Sequence, residues 1–157
     1  MLHVIENAGE GDCLFRSLSQ WLYGTETRHL DVRRQIVEFN VKSWESDDRI
    51  SATAGCIHGN ENMDKAAYKW KMGSKGEYGS ELEIMAFVEI FRRKVILYRR
   101  RITPTGQIVC EVWPFFPENL TDEERKKMEE GQTVRLLCTG LISQYSIIRI
   151  DDTRKII

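Results

Sequence analysis

Cys13 stands one residue after a Gly-Asp pair and at the start of an apolar helical pattern, in the stretch Glu10-Gly11-Asp12-Cys13-Leu14-Phe15-Arg16-Ser17-Leu18. A thiol in the first turn of a helix sits near the positive end of the macrodipole, which favours the thiolate. The preceding Gly9-Glu10-Gly11-Asp12 can bend so that successive backbone N–H groups point into one oxyanion-binding concavity. Together these are the parts of an acyl-transfer centre. A small buried cysteine would read the same way, and both readings stand on this stretch alone.

A nucleophilic thiol needs a base. The three histidines, His3, His29 and His58, are scattered, and no histidine follows residue 58. His29 opens a helix and reads as a capping or packing residue. His58 falls in the polar Ile57-His58-Gly59-Asn60 loop and reads as solvated. His3 precedes the cysteine loop on a short strand. Cys13, Cys56, Cys110 and Cys138 form no Cys-x-x-Cys pair, so no zinc site is expected.

The elements that must position Cys13 are read from periodicity. Leu2 to Ile5 is an edge strand or lead-in. Leu14, Leu18, Trp21 and Leu22 recur at helical spacing up to Gly24. A second helix runs from His29 to Trp44, with Leu30, Val32, Ile36, Val37, Phe39 and Val41 on its apolar side. Ser46 to Asp64 is polar and reads as a loop containing or preceding a short helix, and Lys65 to Met72 reads as a helix stopped by Gly73. Ser80 with Glu83 forms a capping box for the next helix, whose buried face carries Leu82, Met85, Ala86, Val88 and Ile90. Lys94 to Tyr98 and Gln107 to Trp113 are strands joined by a turn across Arg99 to Gly106. Trp113-Pro114-Phe115-Phe116-Pro117 is expected as an ordered loop on the core. Thr121 caps a charged helix to Glu130, and Val134 to Cys138 and Tyr145 to Ile150 are the last strands. Helices followed by hairpin-like strands predict an α+β fold, a sheet of about four to six strands packed on helices.

The chain has 157 residues, 41% of them hydrophobic and 30% charged, with a net charge of −1. One domain spanning 1–157 is expected. Near-zero net charge gives no global pull toward nucleic acid or an anionic membrane. No apolar run approaches a membrane span, and the N-terminus does not read as a secretory signal, so a cytoplasmic, monomeric protein is expected. Arg92-Arg93-Lys94 and Arg99-Arg100-Arg101 are expected as solvated clusters at strand ends, paired in part with Glu89 or Glu111.

The cysteine stretch resembles the nucleophile motif of the ovarian-tumour (OTU) family of cysteine proteases, Asp-Gly-Asn-Cys-Leu-Phe-Arg-Ala. His29-Leu30-Asp31-Val32-Arg33 is similar to that family's next helix. Glu77-Tyr78-Gly79-Ser80-Glu81-Leu82-Glu83-Ile84-Met85-Ala86 resembles its Trp-Gly-x-x-Leu-Glu-x-x-Ala helix, followed by the strand Val95-Ile96-Leu97-Tyr98. Gln144-Tyr145-Ser146-Ile147 falls where the family has His-Tyr-Asn/Asp-Ser. The resemblance implies an OTU-like, papain-related fold and a thiol-dependent isopeptidase acting after the C-terminal glycine of ubiquitin or a ubiquitin-like modifier. It makes Cys13 the nucleophile, with the oxyanion donors among the amides of Glu10, Gly11, Asp12 and Cys13, and it implies no metal or organic cofactor. It also brings Glu77, Tyr78, Gly79 and Tyr145 to the substrate side, with Glu77, Glu81 and Asp12 as acidic walls for the arginines of the modifier's tail.

The departures fall on the catalytic positions. Gln144 replaces the family's histidine, and an amide neither accepts a thiol proton nor protonates an amine near pH 7. Glu10 and Ser146 replace the acids or amides that orient the imidazole. The expectation is a ubiquitin-binding domain whose deubiquitinase chemistry is impaired or lost, a pseudoenzyme in the modifier pathway. An active deubiquitinase with a rearranged base and a scaffold that does not contact ubiquitin are the alternatives.

Overall fold

The computed structural model describes residues 2–59, 63–129, 133–139 and 144–150, with Leu2, His58, Glu129, Gln144, Arg149 and Ile150 defined by backbone alone. The order is β1 (Leu2–Ile5), α1 (Cys13–Tyr23), α2 (His29–Lys42), α3 (Asp48–His58), α4 (Lys65–Met72), α5 (Glu81–Phe91), β2 (Val95–Ile102), β3 (Ile108–Phe115), α6 (Asp122–Glu129), β4 (Val134–Thr139) and β5 (Gln144–Ile150). The strands form one five-stranded sheet in the order β1-β5-β4-β2-β3, antiparallel except for the β2–β4 pair. This is the α+β arrangement expected from the order of elements.

The core lies between helices and sheet. Leu14, Phe15 and Leu18 of α1, Val32, Ile36 and Val37 of α2, and Leu82, Ile84, Ala86, Phe87 and Val88 of α5 close on Val95, Leu97, Val134, Leu136 and Ile147 of the strands. Helix α5 is apolar on more than one side because α2 and α3 pack against it as well as β3. Leu30 and Met85, expected on buried faces, are exposed.

Several boundaries differ from the periodic reading. The polar segment after Ser46 is mostly helix α3, started by Asp47, whose carboxylate accepts the Arg49 amide, and stopped by Gly59 in the left-handed region. Its small residues Ser51, Ala52, Thr53, Ala54 and Gly55 give weak amphipathic contrast. Asn60 of the expected loop and Glu130 of the expected last helix are outside the described residues. Strand β2 runs on through Arg99–Ile102, expected as a turn, because β3 pairs with it along its whole length while β4 pairs only with Val95–Arg99. The arginines therefore lie on a hairpin ribbon projecting past the sheet, and the turn is confined to Thr103–Gly106, where the Gly106 amide bonds the Thr103 carbonyl. Trp113, Pro114 and Phe115 belong to β3. A proline fits there because β3 is an edge strand.

Capping divides the same way. Thr121 and Glu124 form the reciprocal box, each side chain accepting the other's backbone amide at 3.1 and 2.9 Å. Ser80 does not accept an amide at its helix; its hydroxyl bonds the Glu83 carboxyl at 2.9 Å.

Candidate active site

Cys13 is held where α1 meets β5. Its sulfur accepts the Tyr145 backbone amide at 3.3 Å, and its side chain is buried. Glu10–Asp12 form a single 3₁₀ turn, entered through Gly9 with positive φ and continued by Glu10, also at positive φ. The Cys13 amide closes this turn on the Glu10 carbonyl, so it is committed within the turn and not held open for an oxyanion. The amides of Glu10, Gly11 and Asp12 head the turn, where backbone donors lack intrahelical partners.

Asn7 ties this corner together, and sequence reasoning did not mark it. Its amide nitrogen lies within hydrogen-bond distance of the Cys13 carbonyl (3.3 Å), the Ser17 hydroxyl (3.0 Å) and the Tyr145 carbonyl (2.9 Å). Its carbonyl oxygen accepts the Gly9 amide at 2.8 Å. The Ser17 hydroxyl donates to the same Tyr145 carbonyl at 3.1 Å. One side chain thus joins the loop before the cysteine, the cysteine helix and the late strand, at the residue whose amide faces the sulfur. The available signal was an Asn two residues before a glycine, the pattern of a local Asx turn.

A second clamp lies behind the loop. Arg33 of α2 is 2% exposed and reaches the Asp12 carboxylate at 2.8 Å, the Glu77 carbonyl at 2.7 Å, the Met72 carbonyl at 2.9 Å and the Gly11 carbonyl at 3.4 Å. Its guanidinium carbon sits 4.0 Å from the centre of the Phe15 ring. The Gly76 amide donates to Asp12 at 3.0 Å. A Cβ at Gly11 would lie 1.6 Å from the Gly76 carbonyl oxygen, so the two backbones touch and only glycine fits. The α4–α5 loop is therefore docked directly onto the cysteine loop.

These contacts revise several expected roles. Asp12 is an internal partner of Arg33, not an acidic wall for an incoming chain. Burial alone would raise its carboxyl, but the Gly76 amide and Arg33 outweigh it and hold it below the usual range. Glu81 is paired with Arg99. Tyr145 is 1% exposed, so its ring belongs to the core and only its backbone meets the sulfur. Tyr78 is exposed, Glu77 half-buried and Gly79 buried, packed so closely that a Cβ there would lie 2.5 Å from a Leu14 methyl. Glu10 is exposed, and Ser146 is half-buried on β5 opposite Leu137. The backbone of Gln144 opens β5 opposite Thr139, one peptide from the amide that bonds the sulfur; its side chain is outside the described residues.

The thiol departs from expectation too. Burial pushes Cys13 above the ordinary thiol range, against the opposing hydrogen bonds of the Tyr145 and Leu14 amides. Desolvation thus outweighs the helix terminus, and the resting group is the thiol. His29 is buried, with Nδ1 4.0 Å from the Asp12 carboxylate; burial, then Arg16, depress its pKa, leaving it neutral at pH 7. His3 pairs with Arg149 across β1–β5, four residues beyond Tyr145 and so about 13 Å further along the strand.

Comparison with known proteins agrees with this geometry. The family model described as OTU-like cysteine protease matches residues 8–124. An ovarian-tumour-domain deubiquitinating enzyme (number 10) of Arabidopsis thaliana is 33% identical over 57% of the chain, a stretch that makes up 22% of that protein. An OTU domain-containing protein of Drosophila melanogaster is 29% identical over 57% of the chain and 16% of its own length. The chain thus spans a small part of these curated relatives. Among solved structures, a Hazara virus OTU bound to ubiquitin superposes with a TM-score of 0.66 at 17% identity, covering 94% of this chain and 80% of the other. A Wolbachia pipientis OTU deubiquitinase bound to ubiquitin gives 0.63 at 16%, covering 94% and 95%. At these identities the likeness is one of fold.

Proposed function

Because the chain belongs to the OTU-like cysteine proteases, we propose that it is a domain that holds the C-terminal tail of ubiquitin, or of a ubiquitin-like modifier, against Cys13 and cleaves it slowly or not at all. The observation that supports this reading is the strand beside the sulfur: the strand that delivers an amide to Cys13 begins with Gln144, the position to which the resemblance assigns the family's histidine.

The chemistry makes that substitution costly. Cleavage forms a bond between Sγ and the carbonyl carbon, breaks the C–N bond and moves the thiol proton to the departing amine. Water then displaces the thioester and returns a proton to sulfur. An imidazole serves both proton transfers, and positioned general acid–base catalysis contributes about 10²–10⁴-fold. Gln144 serves neither, and a thiol whose pKa is raised by burial begins with little thiolate. The loop before Cys13, clamped by Arg33 and the Gly76 amide on Asp12, supports a binding role.

The test uses ubiquitin carrying a C-terminal electrophile beside ubiquitin chains. The expected result is slow labelling of Cys13 that accelerates as pH rises past the ordinary thiol range, is abolished by Cys13→Ala, and leaves chains intact. Rapid chain cleavage by the unaltered protein, lost in Cys13→Ala, would overturn the impaired-enzyme reading. Absence of any change on titration with ubiquitin or its relatives would overturn the binding reading.

A further inference from the structure

The α4 surface combines lysines with an exposed tryptophan. Between Lys65 and Gly76 there are lysines at 65, 69, 71 and 75 and no acidic residue, on a chain whose net charge is −1. Lys65 is paired with Glu45 at 2.9 Å, whereas Lys69, Lys71 and Lys75 make no ion pair among the described residues. In their midst Trp70 is 80% exposed, more than any other large apolar residue in the described core and surface.

Helical geometry explains how it comes to stand free. Tyr68 and Met72, one turn apart, are fully buried and fix α4 to the core. Trp70 is two positions from each, about 200° around the helix from Tyr68. The neighbours that could cover an indole at i−4, i−3, i+3 and i+4 are Ala66, Ala67, Gly73 and Ser74, all small. Ser74 turns its hydroxyl back to the Trp70 carbonyl at 2.7 Å. The ring is thus an open platform within a lysine-rich segment. The same segment continues into Gly76, whose amide holds Asp12.

We infer that the Lys69–Trp70–Lys75 face is a docking surface for an acidic protein segment carrying an apolar or aromatic side chain. Carboxylates would meet the unpaired lysines while the apolar group covers the indole, an anchor of the kind that dominates interface energetics. The other anionic partners fit less well. Single-stranded nucleic acid is gripped by a run of stacking aromatics along a basic groove, and one ring on a helix of eight residues offers no such track. A membrane surface takes up the apolar face of a helix, and that face of α4, Tyr68 and Met72, is turned into the core. The inference does not depend on whether Cys13 cleaves anything.

The full chain is titrated with a short fluorescein-labelled peptide alternating glutamate with phenylalanine, its glutamine counterpart, oligo-dT, and phosphatidylserine vesicles. The expected result is binding of the acidic peptide that weakens with salt and falls at least about tenfold both in Trp70→Ala and in Lys69→Glu/Lys75→Glu. Since these side chains are exposed, both variants should keep the unaltered circular dichroism spectrum. Equal binding of the glutamine peptide, binding unaffected by the substitutions, or stronger binding of oligo-dT or vesicles would each overturn the inference.

Discussion

At the scale of single residues, the sulfur of Cys13 shows two influences of opposite sign. A helix start and the Tyr145 amide favour negative charge, while burial opposes it, and burial is the larger. On the function proposed above, what limits the site is a proton carrier, not a hydrogen-bond donor. Gln144→His is therefore expected to raise hydrolysis of ubiquitin chains by at least about tenfold, the lower part of the range for general acid–base catalysis. Gln144→His with Ser146→Asn should gain more, since an amide near the ring can fix its tautomer. Timed gel assays against the unaltered protein measure both. If neither variant gains activity while Cys13 still accepts the electrophilic probe, the deficiency is in how the substrate lies, not in proton transfer.

Among elements, the decisive joint is the one Arg33 makes between α2, the cysteine loop and the loop between α4 and α5. Replacing it with methionine would leave the Asp12 carboxylate buried beside Gly76 without its cation, a loss of about 3–5 kcal/mol. Arg33→Met should lower stability by that order in urea denaturation and slow labelling of Cys13. Arg33→Met with Asp12→Leu should recover much of the stability but not the labelling, because the loop loses its register. A loss in the double variant equal to the sum of the losses in Arg33→Met and Asp12→Leu alone would show that the pair is not coupled. This joint also marks how far the sequence could be read. Helices α1, α2 and α4 and the presence of the strands followed from apolar spacing and from Gly24 and Gly73, whereas β2 and β3 run on past their expected ends. Arg33 was recognisable only as part of a motif, and Asn7 not at all, since their partners lie 44 and 138 residues away at the extremes. Local pattern reports what faces inward; it carries no information about which distant carbonyl a buried donor will find. Helix α3 was legible only as a short helix within or after a polar loop for the converse reason, as its stop and start signals bracket residues with little contrast between faces.

For the molecule as a whole, one buried group links stability to pH near neutrality. Glu83 of α5 is fully buried, with Oε2 bonded to the Ser80 hydroxyl and Oε1 without a hydrogen-bond partner. Arg33 of α2 acts on it by charge, and Glu83 in turn acts on the Tyr68 hydroxyl of α4. Burial raises its pKa from 4.5 to about 7, against the smaller opposing effects of Ser80, nearby backbone amides and Arg33. Below about pH 4.5 the carboxyl is protonated in both folded and unfolded chains and has no linked effect. Between about 4.5 and 7 the unfolded chain releases this proton while the folded chain keeps it, so stability falls as pH rises. Above about 7 the folded carboxyl ionises as well and the loss levels off, at about 3 kcal/mol. Asp12 acts with the opposite sign at lower pH, because its depressed pKa makes stability fall as acid protonates it. Glu83→Gln keeps the shape without the charge, so it should be more stable than the unaltered chain above pH 7 and should lose the decline between pH 5 and 7. Urea denaturation across that interval measures it. A decline of the same slope in Glu83→Gln would assign the linkage to another group, and a less stable variant at pH 8 would mean that the ionised carboxylate is favourably held.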